Sequence, residues 1–288
     1  MEWLNAVVQG VLLGGLYALF ATGLSLIFGV MRLVNIAHGD LIVLAAYLAL
    51  VVVESTGMNP FLAVLVVVPA MAAMGYALQR FVLNPTLGED PLPPLLVTFG
   101  LSVILQNALL SVFSADSQRL AAGPIETAGF ALLPGLQVGV LPLLMFGVAV
   151  LAIFGLETIF YHTRFGRAFR ATSDDAETVR LMGLDNRHVY ALAMALSAAV
   201  VAIAGIFLAV RTNFDPASGP ARLIFGFEAV IIGGLGSLWG TLAGGIVLGV
   251  AQTVGAQISP GFQLLAGHLV FFLILAFRPR GLFPRMDG

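Results

Sequence analysis

The chain of 288 residues contains no cysteine and no lysine, so all 13 of its basic residues are arginines. Without cysteine there are no disulfides, no thiolate nucleophiles and no cysteine-bound metal. Without lysine there is no Walker A lysine and no Schiff base, which excludes ATP hydrolysis by a P-loop mechanism in this chain. We expect no catalytic residue, no metal site and no cofactor within the chain itself.

Charge is also scarce, since Asp, Glu and Arg make up 10% of the chain while 59% is hydrophobic and the mean hydropathy is +1.02. Several uncharged runs extend for roughly 20 residues, the length at which a helix rising about 1.5 Å per residue crosses a hydrocarbon layer of about 30 Å. The composition therefore predicts an integral membrane protein of helices surrounded by a lipid bilayer. The net charge of -2 gives no indication of a nucleic-acid partner.

The hydrophobic runs predict an all-α polytopic membrane protein with about eight membrane-spanning segments in a single domain, residues 1–288. Prolines separate most of the runs or lie near their ends, where a missing amide costs least. No basic residue precedes Arg32, so the first run lacks the positive flank of a signal peptide and is expected to be retained. The runs lie near 7–30, 39–53, 60–80, 95–113, 140–160, 189–210, 226–257 and 262–277.

Arginine placement predicts the orientation, because short cytoplasmic loops retain positive charge. Five arginines lie between residues 164 and 187, which places that loop in the cytoplasm. Counting back over five crossings places Arg80 and Arg32 inside and the N-terminus outside. The tail carries three more arginines and is also expected inside, which predicts a cytoplasmic C-terminus: Arg278, Arg280 and Arg285.

An inside loop and an inside tail need an even number of crossings between them, whereas three apolar runs separate them. One run must therefore be broken, and 226–257 is the best candidate because its glycines could end a half-helix at mid-membrane. Irregular backbone at that depth is tolerated only where protein or a water-filled cavity covers it, and broken helices often mark a permeation path. We therefore predict that three glycines line such a path: Gly233, Gly234 and Gly236.

Residues 166–187 read GRAFRATSDDAETVRLMGLDNR and hold eight of the 28 charged residues, 13 basic and 15 acidic. Two overlapping capping patterns, with Gly183 as a terminator, predict a short helix near 174–182. A charged helix with an apolar stripe would suit a groove on a partner protein. The alternative is a solvated loop whose arginines only set the topology, and the residues alone leave both open. The expected stripe is Ala176, Val179 and Met182.

Three blocks and the tail carry a resemblance to a known family. Residues 15–49 read GLYALFATGLSLIFGVMRLVNIAHGDLIVLAAYLA, and residues 233–249 read GGLGSLWGTLAGGIVLG. With the stretch from Gly166 to Gly205 and the RPRGLF tail at 278–283, they resemble the permease subunits of branched-chain amino-acid ABC transporters. The first block is similar to that family's first two helices and its Asn-aromatic-Ala-His-Gly signature, with Ile36 where the family often has phenylalanine. The glycine-rich block is similar to its seventh segment.

The resemblance implies a non-enzymatic membrane subunit of a bacterial inner-membrane importer for branched-chain or related small amino acids. In that family a homologous permease subunit pairs with such a chain, and two cytoplasmic ABC ATPase subunits bind ATP and Mg beneath the pair. A periplasmic substrate-binding protein delivers the substrate. Residues 162–188 would be the cytoplasmic coupling segment, and the resemblance implies that the ATPases are contacted by Arg167, Arg170, Asp174, Asp175, Glu177, Val179, Met182 and Gly183.

The stretch Asn35-Ile36-Ala37-His38-Gly39-Asp40 places polar groups between two apolar runs with little room for a loop. Within the bilayer these groups would need partners, because an unsatisfied one costs several kcal/mol in hydrocarbon. One interpretation is a broken helix lining the substrate path, with Asn35, His38 and Gly39 on it. The other is an interfacial turn in which Gly39 ends one helix and Asp40 caps the next. Both remain open.

Two other functions are weighed. An intramembrane serine protease would use Ser25 with His268, but oxyanion donors and a second small residue after the serine are lacking. An ion-gradient-driven secondary transporter would place ionisable groups inside its spans, whose interiors are expected to be nearly free of them. Glu157 and Glu228 are expected to snorkel or cap near span ends. Solvated charge outside the membrane is expected for Arg119, Arg211 and Arg222.

Overall fold

The computed structural model describes residues 1–88 and 90–283, so Arg285 of the predicted tail lies outside the described residues. Within them the chain is mainly helical, with one short antiparallel hairpin of β1 (Gly129–Leu133) and β2 (Leu136–Gly139). A π-helical turn (Leu78–Leu83) and a 3-10 turn (Asn84–Thr86) extend α3, and a second 3-10 turn (Gly123–Glu126) precedes β1. The α-helices are α1 (Glu2–Met31), α2 (His38–Thr56), α3 (Val64–Ala77), α4 (Leu92–Phe113), α5 (Val140–His162), α6 (Arg164–Asp174), α7 (Ala176–Leu181), α8 (Asn186–Arg211), α9 (Gly219–Gly233), α10 (Leu238–Ile258) and α11 (Phe262–Phe277).

Seven helical stretches are long and apolar enough to cross a bilayer: α1, α2, α3 with its extension to Thr86, α4, α5, α8 and α10. The shorter α11 is apolar as well. The prediction of about eight apolar segments is therefore confirmed. The additional helix α9 has 15 residues. At about 1.5 Å per residue it is shorter than the hydrocarbon thickness.

α1 forms the centre of the bundle. In the most apolar stretch of α1, 89% of the residues are buried. The corresponding share in α4, which lies at the periphery, is 17%. Glycines let α1 and α10 run antiparallel in backbone contact, since a Cβ on Gly14 would lie 2.5 Å from the Cα of Ile246. A Cβ on Gly245 would lie 2.6 Å from the carbonyl oxygen of Gly14. Small residues drive such helix packing in membranes, where apolar side chains alone give no preference for a neighbouring helix over lipid.

The long run 226–257 is broken, as predicted, and becomes the antiparallel pair α9 and α10. Gly233 packs against Gly240, and Gly244 packs against Ala229. Gly234 and Gly236 adopt φ values of 109° and 79° in the turn, a region that favours glycine. Four helices, α8 to α11, therefore separate the arginine-rich loop from the tail, which resolves the odd count of apolar runs.

The depth expected for this break was wrong. The α9–α10 turn lies at the end of the bundle that carries the charged loop, because Leu235 and Gly236 line a cavity together with Arg170 and Asp174. Because of Pro220 and a nearby arginine, the first residues of α9 had not been counted in the apolar run. α9 begins at Gly219, so the break comes at the end of a longer helix than the run indicated.

Two helices instead begin deep inside the bundle. After α1 ends at Met31, residues 32–37 return along it, so that Nε2 of His38 donates to the carbonyl oxygen of Phe20 at 2.8 Å. Phe20 precedes the end of α1 by about 16 Å at 1.5 Å per residue. Gly39 contacts Gly219, so closely that a Cβ on Gly39 would overlap the Gly219 carbonyl oxygen. The first turns of α2 and α9 therefore meet inside the bundle.

Candidate functional site

The charged loop, residues 162–188, is here called the coupling segment after the role that the resemblance implies for it. It folds into two short helices, and its own side chains cap both of them. The Thr163 side chain accepts from the amide of Gly166 at 3.1 Å and starts α6. Asp175 starts α7 by accepting from the amides of Glu177 and Thr178, both at 3.0 Å. Gly183, with φ 86°, closes it. The predicted short helix is therefore confirmed near its expected position, and α6 before it was missed.

The coupling segment is fixed to the centre of the bundle. Phe169 is buried in a cluster with Val30 of α1 and Val189 of α8. The Ser173 hydroxyl donates to the carbonyl oxygen of Gly29 at 2.7 Å. Gly166 fits against the end of α5, where a Cβ would overlap backbone carbonyl groups. α6 is therefore in direct contact with α1, the end of α5 and the start of α8.

Six of the eight residues predicted to contact an ATPase are exposed on this segment: Arg167, Asp174, Asp175, Glu177, Met182 and Gly183. The other two point inward. The Arg170 guanidinium donates to the carbonyl oxygen of Phe160 and lies 5.1 Å from the centre of the Tyr161 ring. Val179 is buried and packs with the segment rather than on its surface.

The predicted stripe of Ala176, Val179 and Met182 is consequently wrong. Val179 is buried, whereas Met182 lies beyond the end of α7 at Leu181 and is exposed, so the three residues do not form one exposed stripe. The exposed apolar surface consists of Leu181, Met182 and Leu184, of which the first two are 85% and 78% exposed. Leu181 and Leu184 lie on either side of Gly183, the glycine that ends the helix. This position was the sequence signal for their exposure, because helical periodicity does not extend past such a glycine.

Two carboxylates of the segment, Asp175 and Asp185, accept hydrogen bonds that favour their charged form. Asp175 accepts from the Thr178 hydroxyl at 2.5 Å and from two backbone amides, which holds the pKa of its carboxyl below the usual range. The Arg80 guanidinium donates to Asp185 at 2.9 Å, and this contact, with the amide of Arg187, lowers the pKa of Asp185. At neutral pH the exposed surface therefore presents fixed negative charges beside the arginines.

Arginines concentrate at this end of the bundle, here called the arginine-rich end. Of the 13 arginines, 12 are described, and three of those, Arg119, Arg211 and Arg222, lie elsewhere, which leaves nine. Arg32 and Arg280 line a cavity of about 1120 Å³ together with Arg170. The walls of the cavity come from the ends of α1 and α5, from α6, from the α9–α10 turn and from the tail.

The three glycines predicted to line a path lie at or beside this cavity rather than at mid-bundle. Gly236 belongs to its wall, between Leu235 and Ser237. Gly233 and Gly234 are in close backbone contacts, the former with Gly240 and the latter with Gly281. Their positions are explained by the tight turn and by helix packing.

The other predicted path residues are buried: Asn35 lies in the turn before α2, and His38 and Gly39 are the first two residues of α2. The side-chain oxygen of Asn35 accepts from the amide of Ala37 at 3.0 Å, and His38 is fully enclosed. Because His38 contacts Phe20 rather than the end of α1, this stretch lies inside the bundle. Gly39 provides the close approach to α9 described above.

Asp40 is a buried carboxylate that the path prediction did not include. Its oxygens accept from the Ser102 hydroxyl at 2.5 Å and from the Gln106 amide at 3.0 Å, both on α4. It also lies against Gly219, so one carboxylate adjoins the first turns of α2 and α9. Helix N-termini carry partial positive charge, which this carboxylate balances.

A second buried carboxylate corrects the expectation for Glu228. It is 4% exposed in the middle of α9, and its Oε1 lies 2.5 Å from Nδ1 of His268 on α11. It does not snorkel, and the spans are not free of ionisable groups. Glu157 accepts from the indole of Trp239 at 2.5 Å. Arg211 and Arg222 are half-buried rather than in solvated loops.

The described residues contain no group of three or more His, Asp or Glu placed to hold a metal ion. His268, which a serine protease would need as its general base, is hydrogen-bonded to Glu228. Ser25 is enclosed in α1. The arrangement is therefore that of a polytopic helical membrane protein with buried polar helix starts and an anchored charged segment at one end.

Comparison with known proteins identifies the family. Residues 6–277 match the model of the branched-chain amino acid transport system permease component. The chain is 30% identical over 300 aligned residues to the high-affinity branched-chain amino acid transport system permease protein BraD of Pseudomonas aeruginosa, covering 99% of this chain and 97% of that protein. The corresponding LivH protein of Escherichia coli is 26% identical over 317 residues, with 100% and 97% covered.

Two further matches are more distant. The permease protein LivM of Escherichia coli is 32% identical over 121 residues, which cover 41% of this chain and 28% of that protein. Among solved structures, PsaBC from Streptococcus pneumoniae in complex with Fab gives a TM-score of 0.48 at 14% identity, covering 96% of this chain and 92% of that one.

The chain belongs to the branched-chain amino acid transport system permease family, as the resemblance predicted. It is a permease subunit of a transport system and not an enzyme. Family membership argues against the alternative of a secondary transporter. Composition does not, because the spans contain ionisable groups.

Proposed function

We propose that this chain is one of two membrane-spanning subunits of an ATP-driven importer of branched-chain or related small amino acids in a bacterial inner membrane. The observation that carries the proposal is the match of the family model to almost the whole chain. A second, homologous permease subunit is supported by the partial match to LivM, a permease protein distinct from LivH. ATP and Mg would be bound by two ABC ATPase subunits, and a periplasmic binding protein would supply the substrate.

The coupling segment has the features that an ATPase contact requires. Its outer surface combines exposed charges with the apolar residues Leu181, Met182 and Leu184. Its inner surface is anchored on α1 through Phe169 and Ser173. A segment attached in this way can transmit movement of a docked subunit to the central helix, because packed elements shift as units rather than deforming continuously.

The arginine distribution supports a cytoplasmic location for the coupling segment. With nine helices that cross or enter the bilayer, α1 to α5 and α8 to α11, the N-terminus would be periplasmic and the C-terminal tail cytoplasmic. The substrate would pass near the first turns of α2 and α9, where two helices start inside the bundle. In membrane proteins such helix starts are tolerated where they line a protein-covered cavity or path.

The decisive experiment is extraction of the chain from its native membrane, identification of the co-purifying chains, and uptake by proteoliposomes containing that complex. We expect ATP-dependent uptake of L-leucine, L-isoleucine or L-valine in the presence of the co-purified binding protein. A proton ionophore should leave the uptake unchanged. Uptake that needs no nucleotide and collapses with the proton gradient would overturn the proposal, and uptake of an amide or urea instead would correct the substrate.

A further inference from the structure

Three of the buried polar atoms that have no hydrogen-bond partner in the described part of the chain lie on two neighbouring helices, α9 and α10. They are Nε of Arg222 and Oε2 of Glu228 on α9, and Nε2 of Gln252 on α10. Gln252 and Glu228 are only 1% and 4% exposed. In a bilayer an unsatisfied buried polar group costs several kcal/mol, so groups of this kind are retained where a ligand or water completes them.

The contacts of Tyr17 bring these groups into one region. Its hydroxyl donates to Oε1 of Gln252 at 2.5 Å, which leaves the Gln252 amide nitrogen free. On α9, Arg222 and Glu228 lie three residues before and three residues after Phe225, a spacing that places neighbours on one face of a helix. The ring of Tyr17 lies 5.2 Å from that of Phe225, between the two charged residues of α9.

The region opens toward the outside of this chain. Arg222 is half-buried, Ile224 beside it is exposed, and the His268 side chain, which pairs with Glu228, is 38% exposed. An ionisable group that faces lipid at this depth is costly, so such residues usually face the bundle interior or an aqueous cavity. The exposed side of α9 is therefore better suited to contact with a water-filled passage than to contact with lipid.

We propose that Arg222, Gln252 and Glu228 bind the two charged ends of the amino acid as it passes this subunit. The carboxylate would accept from Nε of Arg222 and Nε2 of Gln252, while the ammonium would donate to Oε2 of Glu228. His268 holds the other oxygen of Glu228 and orients it. Arg222 and Glu228 provide one positive and one negative partner, which match a zwitterion and together carry no net charge. Phe225 and Ile224 provide apolar surface for an aliphatic side chain. The inference rests on the proposed function.

The first test replaces charges in the assembled transporter and measures L-leucine uptake and ATP hydrolysis in the same proteoliposomes. Arg222→Gln and Glu228→Gln should each lower uptake about tenfold or more, because a charged hydrogen bond to the substrate is lost. ATP hydrolysis stimulated by the loaded binding protein should persist, and Arg222→Lys should recover part of the uptake. Arg119→Gln, which removes an arginine paired with Glu126, is the matched control and should transport normally.

The outcomes separate this site from the proposed function. Wild-type uptake by both glutamine variants overturns the site and leaves the function standing. A wild-type complex that takes up none of the three amino acids refutes the function itself. If the glutamine variants do not assemble, the decision passes to a thiol measurement, for which this cysteine-free chain is a suitable background.

In that measurement Ile224→Cys on α9 is compared with Leu151→Cys, an equally apolar exposed residue on α5. A water-soluble thiosulfonate should modify the first and not the second, and L-leucine supplied with binding protein and ATP should change the rate. A complex containing the unmodified chain corrects for thiols of the partner subunits. An Ile224→Cys thiol that is inert to the reagent would overturn the proposal.

Discussion

At the scale of single residues, glycine decides how closely the helices approach. A Cβ on Gly39 would overlap the backbone of Gly219, whereas a Cβ on Gly100 of α4 would meet no atom within 4 Å. Both glycines lie in helices, so the two positions differ in packing far more than in chemistry. The start of α2 depends on the absence of a side chain at residue 39.

Gly39→Ala should therefore destabilise the protein, while Gly100→Ala should be neutral or stabilising by up to about 1 kcal/mol from helix propensity. The measurement is the midpoint of thermal unfolding in detergent for both variants and the unaltered chain. Equal midpoints for the two variants would contradict the close contact between α2 and α9.

The Arg80–Asp185 pair gives a pH prediction. Because the pKa of Asp185 is lowered in the folded chain, its stabilisation is present above the ordinary carboxyl pKa of about 3.9 and is lost as the pH falls through the lowered pKa. Both side chains are partly exposed, so the contribution is about 1 kcal/mol or less. Arg80→Gln should lower the unfolding midpoint at pH 7, and the difference from the unaltered chain should shrink below about pH 4. A constant difference across this range would show that the carboxylate is not involved.

At the scale of elements, the coupling segment has an inner side that is anchored on the bundle and an outer side of exposed charged and apolar residues. The sequence predicted its location, its charge and its terminating glycine, because these depend on local capping and composition. It did not predict that Arg170 and Val179 point inward, because Arg170 is held by the carbonyl group of Phe160 on α5 and Val179 is buried by tertiary packing. Side-chain direction in so short a helix is set by tertiary contacts rather than by periodicity.

Reversing the charges of Asp174 and Glu177 to lysine should weaken attachment of the ATPase subunits, because both carboxylates are exposed and neither starts α7. Asp175 is left unchanged, since it is the N-cap. The measurement is the amount of ATPase that co-purifies with the permease, alongside Glu54→Lys at an exposed position at the end of α2 as the control. Undiminished co-purification of the double variant would exclude this surface as the dock.

At the scale of the whole molecule, the arginines divide the bundle into two ends. Nine of the described arginines lie at the end where α1, α5 and α11 finish, including those of the coupling segment. If the positive-inside rule governs this chain, that end faces the cytoplasm and Glu2 faces the periplasm.

The absence of cysteine allows this orientation to be tested with single thiols. Glu2→Cys should react with a membrane-impermeant maleimide on cells whose outer membrane has been permeabilised, and Glu177→Cys should react only after the inner membrane is opened. Labelling of residue 177 in spheroplasts with a sealed inner membrane would reverse the orientation and remove the basis of the coupling proposal.

The sequence by itself determined the membrane class, the apolar segments, the presence of a break at Gly233, Gly234 and Gly236, and the family, because hydropathy, glycine placement and motif order are local properties. Only the tertiary structure decided how deep each segment lies. Residues 32–37 return along α1 and Glu228 meets His268 through contacts between distant parts of the chain. Tyr17 likewise meets Gln252 from 235 positions away. Hydropathy ranks residues by polarity, but the pairing of buried polar groups depends on which helices pack together.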